Sequence, residues 1–247
     1  MKISVIVISY NEKDNIEKCL ESVRWADELI VVDSGSRDET VKLAECYTKK
    51  VFRHSWQGYS KQKNFAISKA RNEWILSLDA DEVLSEELAS EIKNIVVSPY
   101  EGYYLPRKAF FMNRWIKHCG WYPDRQLRLF RKGKGFFNER EQIHEGLVLK
   151  GKAGTLQNEL LHYSYKNIGQ YFSQLNKYTE LAAQGKASAG KTSGVAKILL
   201  NPPATFLKMY VLKLGFLDGL AGFCICALSA FYNFVKYTKL WEIKRKR

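Results

Sequence analysis

Residues 74–78 form an apolar run of strand length that ends in an acidic cluster, Asp79, Asp81 and Glu82. A buried strand with this ending brings the carboxylates together at the carboxyl edge of a sheet. Carboxylates about 4 Å apart repel each other by several kcal/mol at an effective dielectric of about 20. The cluster therefore requires positive charge nearby, and a divalent cation held by oxygen ligands is the simplest candidate.

The same stretch also fits the start of a helix. Ser85, followed by Glu86 and Glu87, is typical of a helix N-cap with acidic residues in the first turn. On this interpretation Glu82 belongs to the start of that helix, and only the two aspartates remain for a site. The neighbouring segments have to distinguish the two interpretations.

Composition indicates a folded protein with an uneven distribution of charge. The chain has 247 residues, of which 46% are hydrophobic, and a formal net charge of +13. From Lys186 onward, eleven Lys and Arg residues face only Asp218 and Glu242. This excess indicates that the C-terminal part meets an anionic surface, either a membrane or nucleic acid.

The cysteines favour a reduced, cytoplasmic protein. There are five of them, and the apolar run at residues 3–9 is too short for a secretory signal. Cys224 and Cys226 lie in an apolar run without nearby His or acidic residues, so we interpret them as packing residues and not as metal ligands.

Alternating strand and helix patterns occupy the first hundred residues. Asn11 is a candidate helix N-cap, and Ser36 with Glu39 fits a capping box. The predicted strands are residues 3–9, 29–33, 51–52 and 74–78, and a helix is predicted at residues 60–70. Strands linked by helices at this spacing predict a doubly wound α/β domain with a mostly parallel sheet. Ligands of such sheets bind beyond the carboxyl ends of the strands, so residues 10–12, 33–36 and 79–81 should share one rim.

Four motifs on or near this rim resemble the family 2 glycosyltransferases, which have the nucleotide-sugar-binding GT-A fold. The motifs are residues 7–12 (VISYNE), 32–40 (VDSGSRDET), Lys63-Asn64 and residues 79–81 (DAD). The family commonly has two adjacent acids where this chain has Asp33-Ser34. The basic, apolar C-terminal part and the His144-Glu145 pair further resemble bacterial enzymes that add glucose to the inner core of lipopolysaccharide.

The resemblance implies roles for individual residues. Asp79 would lie near the ribose and the metal, and Asp81 would bind Mg²⁺ or Mn²⁺ directly. The remaining contacts to the nucleotide sugar would come from Ser9, Tyr10, Asn11, Glu12, Asp33, Ser34, Lys63 and Ala80.

The second half of the chain should bind the acceptor. Strand patterns at residues 103–112, 125–131 and 147–149 predict antiparallel strands. An inverting transfer requires a general base, and by comparison with similar proteins we assign this role to Glu145, with Asp124 as the alternative. His144 would be a third metal or diphosphate ligand, whereas we interpret His162 as structural.

The C-terminal part has the character of a membrane anchor. We predict a linker at residues 186–202, followed by amphipathic and apolar helices with a basic tail at residues 203–247. Residues 219–235 carry no charge, but 17 residues are slightly short for a membrane span. The nucleotide-sugar domain and the basic tail both belong in the cytoplasm, so we expect a peripheral or monotopic protein on the inner face of the cytoplasmic membrane.

These observations predict a nucleotide-sugar-binding half at residues 1–100 and an acceptor half at residues 101–185. The expected activity is metal-dependent, inverting transfer of a hexose, glucose from UDP-glucose, to a lipid-linked saccharide. Alternatives are transfer to another cell-envelope glycan or a polyprenyl lipid, and a non-catalytic membrane-bound nucleotide-sugar-binding protein. A nucleic-acid partner is not expected, since the sequence has no recognisable nucleic-acid-binding motif.

Overall fold

The computed structural model of the chain describes residues 1–139, 146–165 and 167–245. Two compact units make up the chain. The first contains residues 1–107 and 124–162, and the second contains residues 108–123 and 163–247.

Four parallel strands form the beginning of the main sheet, in the order β3-β2-β1-β4. They are β1 (Ile3–Ser9), β2 (Glu28–Asp33), β3 (Val51–Arg53) and β4 (Trp74–Asp79), and the helices between them are α1 (Ile16–Ser22), α2 (Thr40–Glu45) and α3 (Tyr59–Lys69). Every residue of β1 and β2 is buried. This burial on both faces explains why these strands are apolar without alternation, and it confirms the predicted α/β fold.

Two apolar layers cover the faces of this sheet. One contains Leu20 of α1, Ala44 of α2 and Leu78 of β4. The other contains Ala66 of α3, packed with Ile6 and Ile30. Helices thus lie on both faces, and the polar ends of the strands are left at the edge.

The two predicted helix caps at the first turns are wrong. Helix α1 begins at Ile16, and Asn11 instead has a positive φ of 56°. Helix α2 begins at Thr40, and Ser36 donates a hydrogen bond to Asp33 and not to the helix. The side chains with cap chemistry therefore hold the two loops, because hydrogen bonds within and between the loops compete with the helix ends for the same groups.

Antiparallel strands continue the main sheet beyond β4, in the order β4-β8-β6-β12-β5. They are β5 (Glu82–Leu84), β6 (Gly102–Phe111), β7 (Arg114–Trp115), β8 (Asp124–Arg131) and β12 (Leu160–Tyr165). Strand β11 (Ala153–Thr155) runs parallel to β6, and β9 (Gly135–Phe137) and β10 (Leu147–Leu149) form a separate antiparallel pair. The hydroxyl oxygen of Ser85 accepts a hydrogen bond from the N–H of Leu88 and caps α4 (Glu86–Lys93), as predicted. Glu82, however, lies in strand β5 and not at the start of this helix.

Helices dominate the second unit. They are α5 (Ile168–Ser188), α6 (Val195–Leu207) and α7 (Gly219–Arg245), with a π-helical turn at Lys208–Leu212 and a 3₁₀ turn at Gly215–Asp218. The predicted linker at residues 186–202 is too long, because only residues 189–194 separate α5 from α6 and Pro202 lies within α6. Among the described residues, one helical segment, Gly215–Arg245, is long and apolar enough to cross a membrane by length and composition.

Candidate active site

Asp79, at the end of β4, is held by two cationic side chains. The Lys63 ammonium lies 2.9 Å from Oδ1 and the Arg128 Nη2 atom lies 2.6 Å from Oδ2. Burial raises the pKa of Asp79, but the positive charges of Arg128 and Lys63 outweigh this effect and hold the pKa well below its usual range. Asp79 is therefore a carboxylate whose charge the protein itself compensates.

Glu82 is the buried centre of the same cluster. Its side chain is fully buried, and Oε1 accepts hydrogen bonds from Arg128 at 2.6 Å and from Arg107 at 3.5 Å. Its Oε2 atom accepts the backbone N–H of Asp79 at 3.0 Å. The sequence interpretation of Glu82 as part of a helix start missed this role, since its burial depends on the pairing of β5 with β12.

Asp124, the first residue of β8, pairs with Arg107. Its Oδ2 atom accepts hydrogen bonds from Arg107 Nε at 2.8 Å and Nη2 at 2.5 Å, and Oδ1 accepts one from Gln126 Nε2 at 2.7 Å. The register of β6 with β8, which pairs residue 107 with residue 124, brings this ion pair together.

The row alternates three acids with three bases, namely Lys63, Asp79, Arg128, Glu82, Arg107 and Asp124. Its formal charges cancel. Lys63 and Arg128 compensate the negative charge of Asp79 within the protein.

Asp81 stands outside this balanced row and pairs with a histidine. Strand β12 runs antiparallel to β5 with His162 opposite Glu82, and this register brings His162 Nε2 to 3.2 Å from Asp81 Oδ2. Burial disfavours the charged imidazole, but the negative charge of Asp81 outweighs burial and raises the pKa of His162. The histidine interpreted from sequence as structural thus lies at the acidic cluster.

Asp81 and His162 together offer an oxygen and a nitrogen ligand to a metal ion. The described residues contain no group of three or more His, Cys, Asp or Glu side chains arranged for a metal. Mg²⁺ sites commonly use one or two protein carboxylates and take further ligands from substrate phosphates and water. The pair therefore fits a divalent ion that binds together with a diphosphate.

The turn after β2 is organised around Asp33, which is fully buried. Its Oδ1 accepts the backbone N–H groups of Gly35 at 2.9 Å and Ser36 at 2.8 Å. Its Oδ2 accepts hydroxyl protons from Ser36 at 2.5 Å and Ser9 at 3.1 Å. Both oxygens are occupied, so Asp33 shapes the turn and its side chain presents no surface to a ligand.

Hydrogen bonds join the turn after β1 to the turn after β2. Asn11 Oδ1 accepts the N–H of Arg37 at 2.9 Å, and the N–H of Asn11 donates to Ser36 at 2.8 Å. The N–H of Glu12 donates to Thr40 Oγ1 at 2.7 Å.

The remaining rim residues differ in exposure. The N–H of Ser34 donates to the Ser9 carbonyl at 3.0 Å. Tyr10 is 51% exposed, whereas Ala80 is buried. Tyr10 therefore presents an aromatic ring beside the rim, while Ala80 has little surface to offer.

Lys63 and Asn64 lie on α3, and both contact Phe137 of β9. Lys63 lies over the Phe137 ring at 5.2 Å, in addition to its contact with Asp79. The Asn64 amide donates to the carbonyl of Phe137 at 2.9 Å and accepts its N–H at 2.9 Å, as a neighbouring strand would. His144 and Glu145, assigned as a metal ligand and the base, lie outside the described residues.

The chain is similar in sequence to known glycosyltransferases. The family model "Glycosyl transferase family 2" matches residues 4–146. The lipopolysaccharide core biosynthesis glycosyltransferase LpsC of Rhizobium meliloti (strain 1021) is 29% identical, over 98% of this chain and 93% of its own. An uncharacterized glycosyltransferase of Rickettsia bellii (strain RML369-C) is 33% identical, over 98% of this chain and 87% of its own.

Two solved structures share the fold. The mannosyltransferase PcManGT from Pyrobaculum calidifontis superimposes with a TM-score of 0.55 at 16% identity, covering 98% of this chain and 87% of that one. Residues 1–349 of S. aureus TarS give a TM-score of 0.50 at 17% identity, covering 100% and 92%. With the family match over more than half of its length, the chain belongs to glycosyl transferase family 2 and is a glycosyltransferase with a GT-A-like fold.

Proposed function

We propose that this glycosyltransferase moves glucose from UDP-glucose to a lipid-linked saccharide of the lipopolysaccharide inner core, with inversion at the transferred carbon. The relative from Rhizobium meliloti is named for lipopolysaccharide core biosynthesis and matches nearly the full length of both chains, which supports this acceptor class. The S. aureus protein with the same fold was solved with UDP, which supports a uridine nucleotide.

The Asp81–His162 pair at the rim of the sheet is the observation that carries the proposal. The Asp81 carboxylate lies 3.2 Å from the His162 imidazole, whose pKa is raised, and the adjoining row of charged side chains is already balanced. The pair is thus available for a divalent ion and the diphosphate of a donor. PcManGT was solved with GDP-Man and Mn²⁺, which supports such a combination of metal and nucleotide sugar in this fold.

Asp81 and His162 would hold Mg²⁺ or Mn²⁺, with Asp79 oriented beside them by Lys63 and Arg128. When bound, the ion neutralises negative charge that develops on the diphosphate leaving group. Asp79 remains charged because of its two cationic partners and can accept hydrogen bonds from a ribose. Tyr10 would lie against the base, and the locked turns at Asn11 and Asp33 would keep its position fixed.

Glu145 is the proposed general base, which would take the proton from the acceptor hydroxyl as the sugar is transferred. The contacts of Asp124 support this choice over the alternative, because both of its oxygens already accept hydrogen bonds, from Arg107 and from Gln126. Asp124 is therefore already engaged as a hydrogen-bond acceptor within the protein.

The C-terminal helices would associate with the anionic inner face of the cytoplasmic membrane. Large apolar side chains of this segment are exposed to an extent unusual for a soluble protein. Those more than half exposed are Val195, Leu199, Leu200, Leu207, Leu212, Leu217 and Leu220. Lys197, Lys208 and Lys213 lie among them in sequence and suit anionic headgroups.

A donor screen with purified protein tests the activity. UDP-glucose and other nucleotide sugars would be offered with lipid-linked saccharides, in Mg²⁺, in Mn²⁺ and in chelator, and nucleotide release would be measured. We expect metal-dependent release of UDP from UDP-glucose. Binding of nucleotide sugars without turnover on any acceptor would indicate a non-catalytic protein. Turnover on a polyprenyl lipid alone would show that the acceptor is such a lipid and not a lipopolysaccharide core saccharide.

A further inference from the structure

A tight hairpin in the second unit joins β6 to β7. Met112 and Asn113 occupy the two turn positions with φ values of 50° and 62°. Positive φ at both positions is typical of the two-residue turn that matches the twist of a hairpin. Phe110 pairs with Trp115 across this turn, so the register of the two strands is fixed.

This register brings two lysines opposite each other. The N–H of Ile116 donates to the carbonyl of Ala109 at 3.1 Å, one step further from the turn. The next pair is Lys108 with Lys117, on the same face as Trp115, because side chains two residues apart on a strand share a face. Like charges directly across a hairpin destabilise it. The arrangement is therefore unfavourable unless an anion lies near.

Both lysines are directed at one indole ring. The Nζ atom of Lys108 lies 4.0 Å from the centre of the Trp115 ring, and that of Lys117 lies 4.7 Å from it. Both ammonium groups therefore lie against the same ring.

The two ammonium groups and the indole N–H at this ring are hydrogen-bond donors. In residues 1–139, 146–165 and 167–245, neither lysine forms an ion pair with an acidic side chain. The buried Nε1 atom of Trp115 has no hydrogen-bond acceptor within the same ranges. Cation–π contact satisfies the ammonium groups in part, but it leaves their N–H donors without an acceptor oxygen.

The backbone after the hairpin is held in place by Asp218. This carboxylate is buried and accepts the N–H of His118 at 2.8 Å, the N–H of Lys117 at 3.4 Å and the His118 ring nitrogen Nδ1 at 3.1 Å. Tyr122 packs with its edge against Trp115 at 5.5 Å. The site is therefore preorganised, which lowers the entropic cost of binding a ligand.

We propose that Lys108 and Lys117, whose ammonium groups both lie at the Trp115 ring, bind the anionic group of a saccharide acceptor, either a phosphate or a carboxylate. The assignment of the ligand as an acceptor rests on the proposed function. Two ammonium groups without an acidic partner match the two or three oxygens of such a group. The rings of Trp115 and Tyr122 offer apolar surface to the attached sugar.

The indole N–H of Trp115 provides a direct readout. The full-length protein would be labelled with ¹⁵N-tryptophan, and Trp115→Phe would identify the resonance among the six tryptophans. Glucose 6-phosphate, glucuronate, inorganic phosphate and glucose would be titrated separately. We expect a saturable shift of this resonance with glucose 6-phosphate or glucuronate, a weaker affinity for inorganic phosphate and no shift with glucose at the same concentrations.

Variants separate the charge of the lysines from their packing. Lys108→Gln with Lys117→Gln should weaken binding of the responding sugar by at least about tenfold, since two hydrogen bonds to a charged group are lost. Lys108→Arg should retain it. Lys150→Gln is the matched control, because Lys150 also lies over an aromatic ring in a hairpin, at 6.0 Å from Phe136, and it should bind like the wild type.

Several results would overturn the inference. These are an equal shift with glucose, no shift with either anionic sugar, equal affinity for inorganic phosphate and the sugar phosphate, or unchanged binding in the double variant. UDP binding, measured by calorimetry on the same samples, reports on the proposed function alone. Loss of UDP binding with a retained Trp115 response would reject the donor assignment and keep the anion site.

Discussion

His162 Nε2 lies 3.2 Å from Asp81 Oδ2, although 81 residues separate them in the chain. The pair adjoins a row of three acids and three bases whose charges cancel. Asp81 is thus the acid of the cluster that is paired with an imidazole. A neutral imidazole can bind a metal ion, whereas an arginine cannot.

Asp81→Ala should remove metal-dependent binding of the donor. Loss of one of the two proposed protein ligands should weaken Mn²⁺ binding in the presence of UDP by at least about 10- to 100-fold, the loss that changes of residues supporting a ligand already cause. Calorimetry with Mn²⁺ and UDP measures this change. Asp27→Ala is the matched control, because Asp27 binds the N–H of Ile3 at the opposite end of the parallel strands. Metal-dependent UDP binding by Asp81→Ala at the wild-type level would refute the assignment.

The stability that His162 contributes should depend on pH in the metal-free protein. The folded-state pKa of His162 is raised, so its stabilisation is fully present below about pH 6.5 and is lost as the pH rises through the folded value. The difference in free energy of unfolding between wild type and His162→Gln should be larger at about pH 6 than at about pH 9. Urea denaturation in chelator measures it.

The same comparison in an Asp81→Asn background is the control for the pH prediction. Without the aspartate charge, the raised pKa loses its cause and the pH dependence should disappear. A His162→Gln difference that does not change with pH in the wild-type background would show that the pair is not an ion pair.

Glu82→Ala should destabilise the first unit strongly. The substitution removes the fully buried acid of the row and leaves Arg107 and Arg128 with the partly exposed partners Asp124 and Asp79. Breaking a buried ion pair costs about 3–5 kcal/mol. Glu45→Gln, an exposed glutamate on α2, should change stability by less than about 0.5 kcal/mol. Chemical denaturation compares the two, and similar midpoints would contradict the buried role of Glu82.

Glu145→Gln should abolish transfer while UDP binding is preserved. Loss of a general base lowers turnover by about 10² to 10⁴, and the charge-neutral substitution keeps the size of the side chain. Asp124→Asn breaks the ion pair with Arg107 and serves as the comparison. Turnover and UDP affinity are measured on both variants. If Asp124→Asn lost turnover with intact UDP binding and Glu145→Gln did not, the base would be Asp124.

Membrane association should depend on the exposed apolar side chains of the C-terminal segment. Leu212→Glu with Leu220→Glu, each 76% exposed, should reduce flotation of the protein with vesicles that contain anionic lipid. Val96→Glu with Val97→Glu is the matched control, since these side chains are 85% and 86% exposed in the first unit. Undiminished flotation of the leucine variant would argue against this surface.

The sequence by itself determined the parallel half of the fold. Apolar runs without alternation identified β1, β2 and β4, and their polar ends indicated the shared rim. These signals are local, because a strand buried on both faces has to be apolar along its length. The family motifs lie in the same segments, so the class of enzyme followed from them as well.

Only the tertiary structure decided the partners within the site. From the sequence, Glu82 is interpreted as part of a helix start and His162 as structural, and Arg128 lies in a predicted strand at residues 125–131. Their roles follow from the antiparallel register of β12 with β5 and of β8 with β4. A shift of one residue reverses which face a side chain occupies, and the local sequence does not specify that register. The ion pair of Arg128 with Asp79 is the result of this long-range pairing.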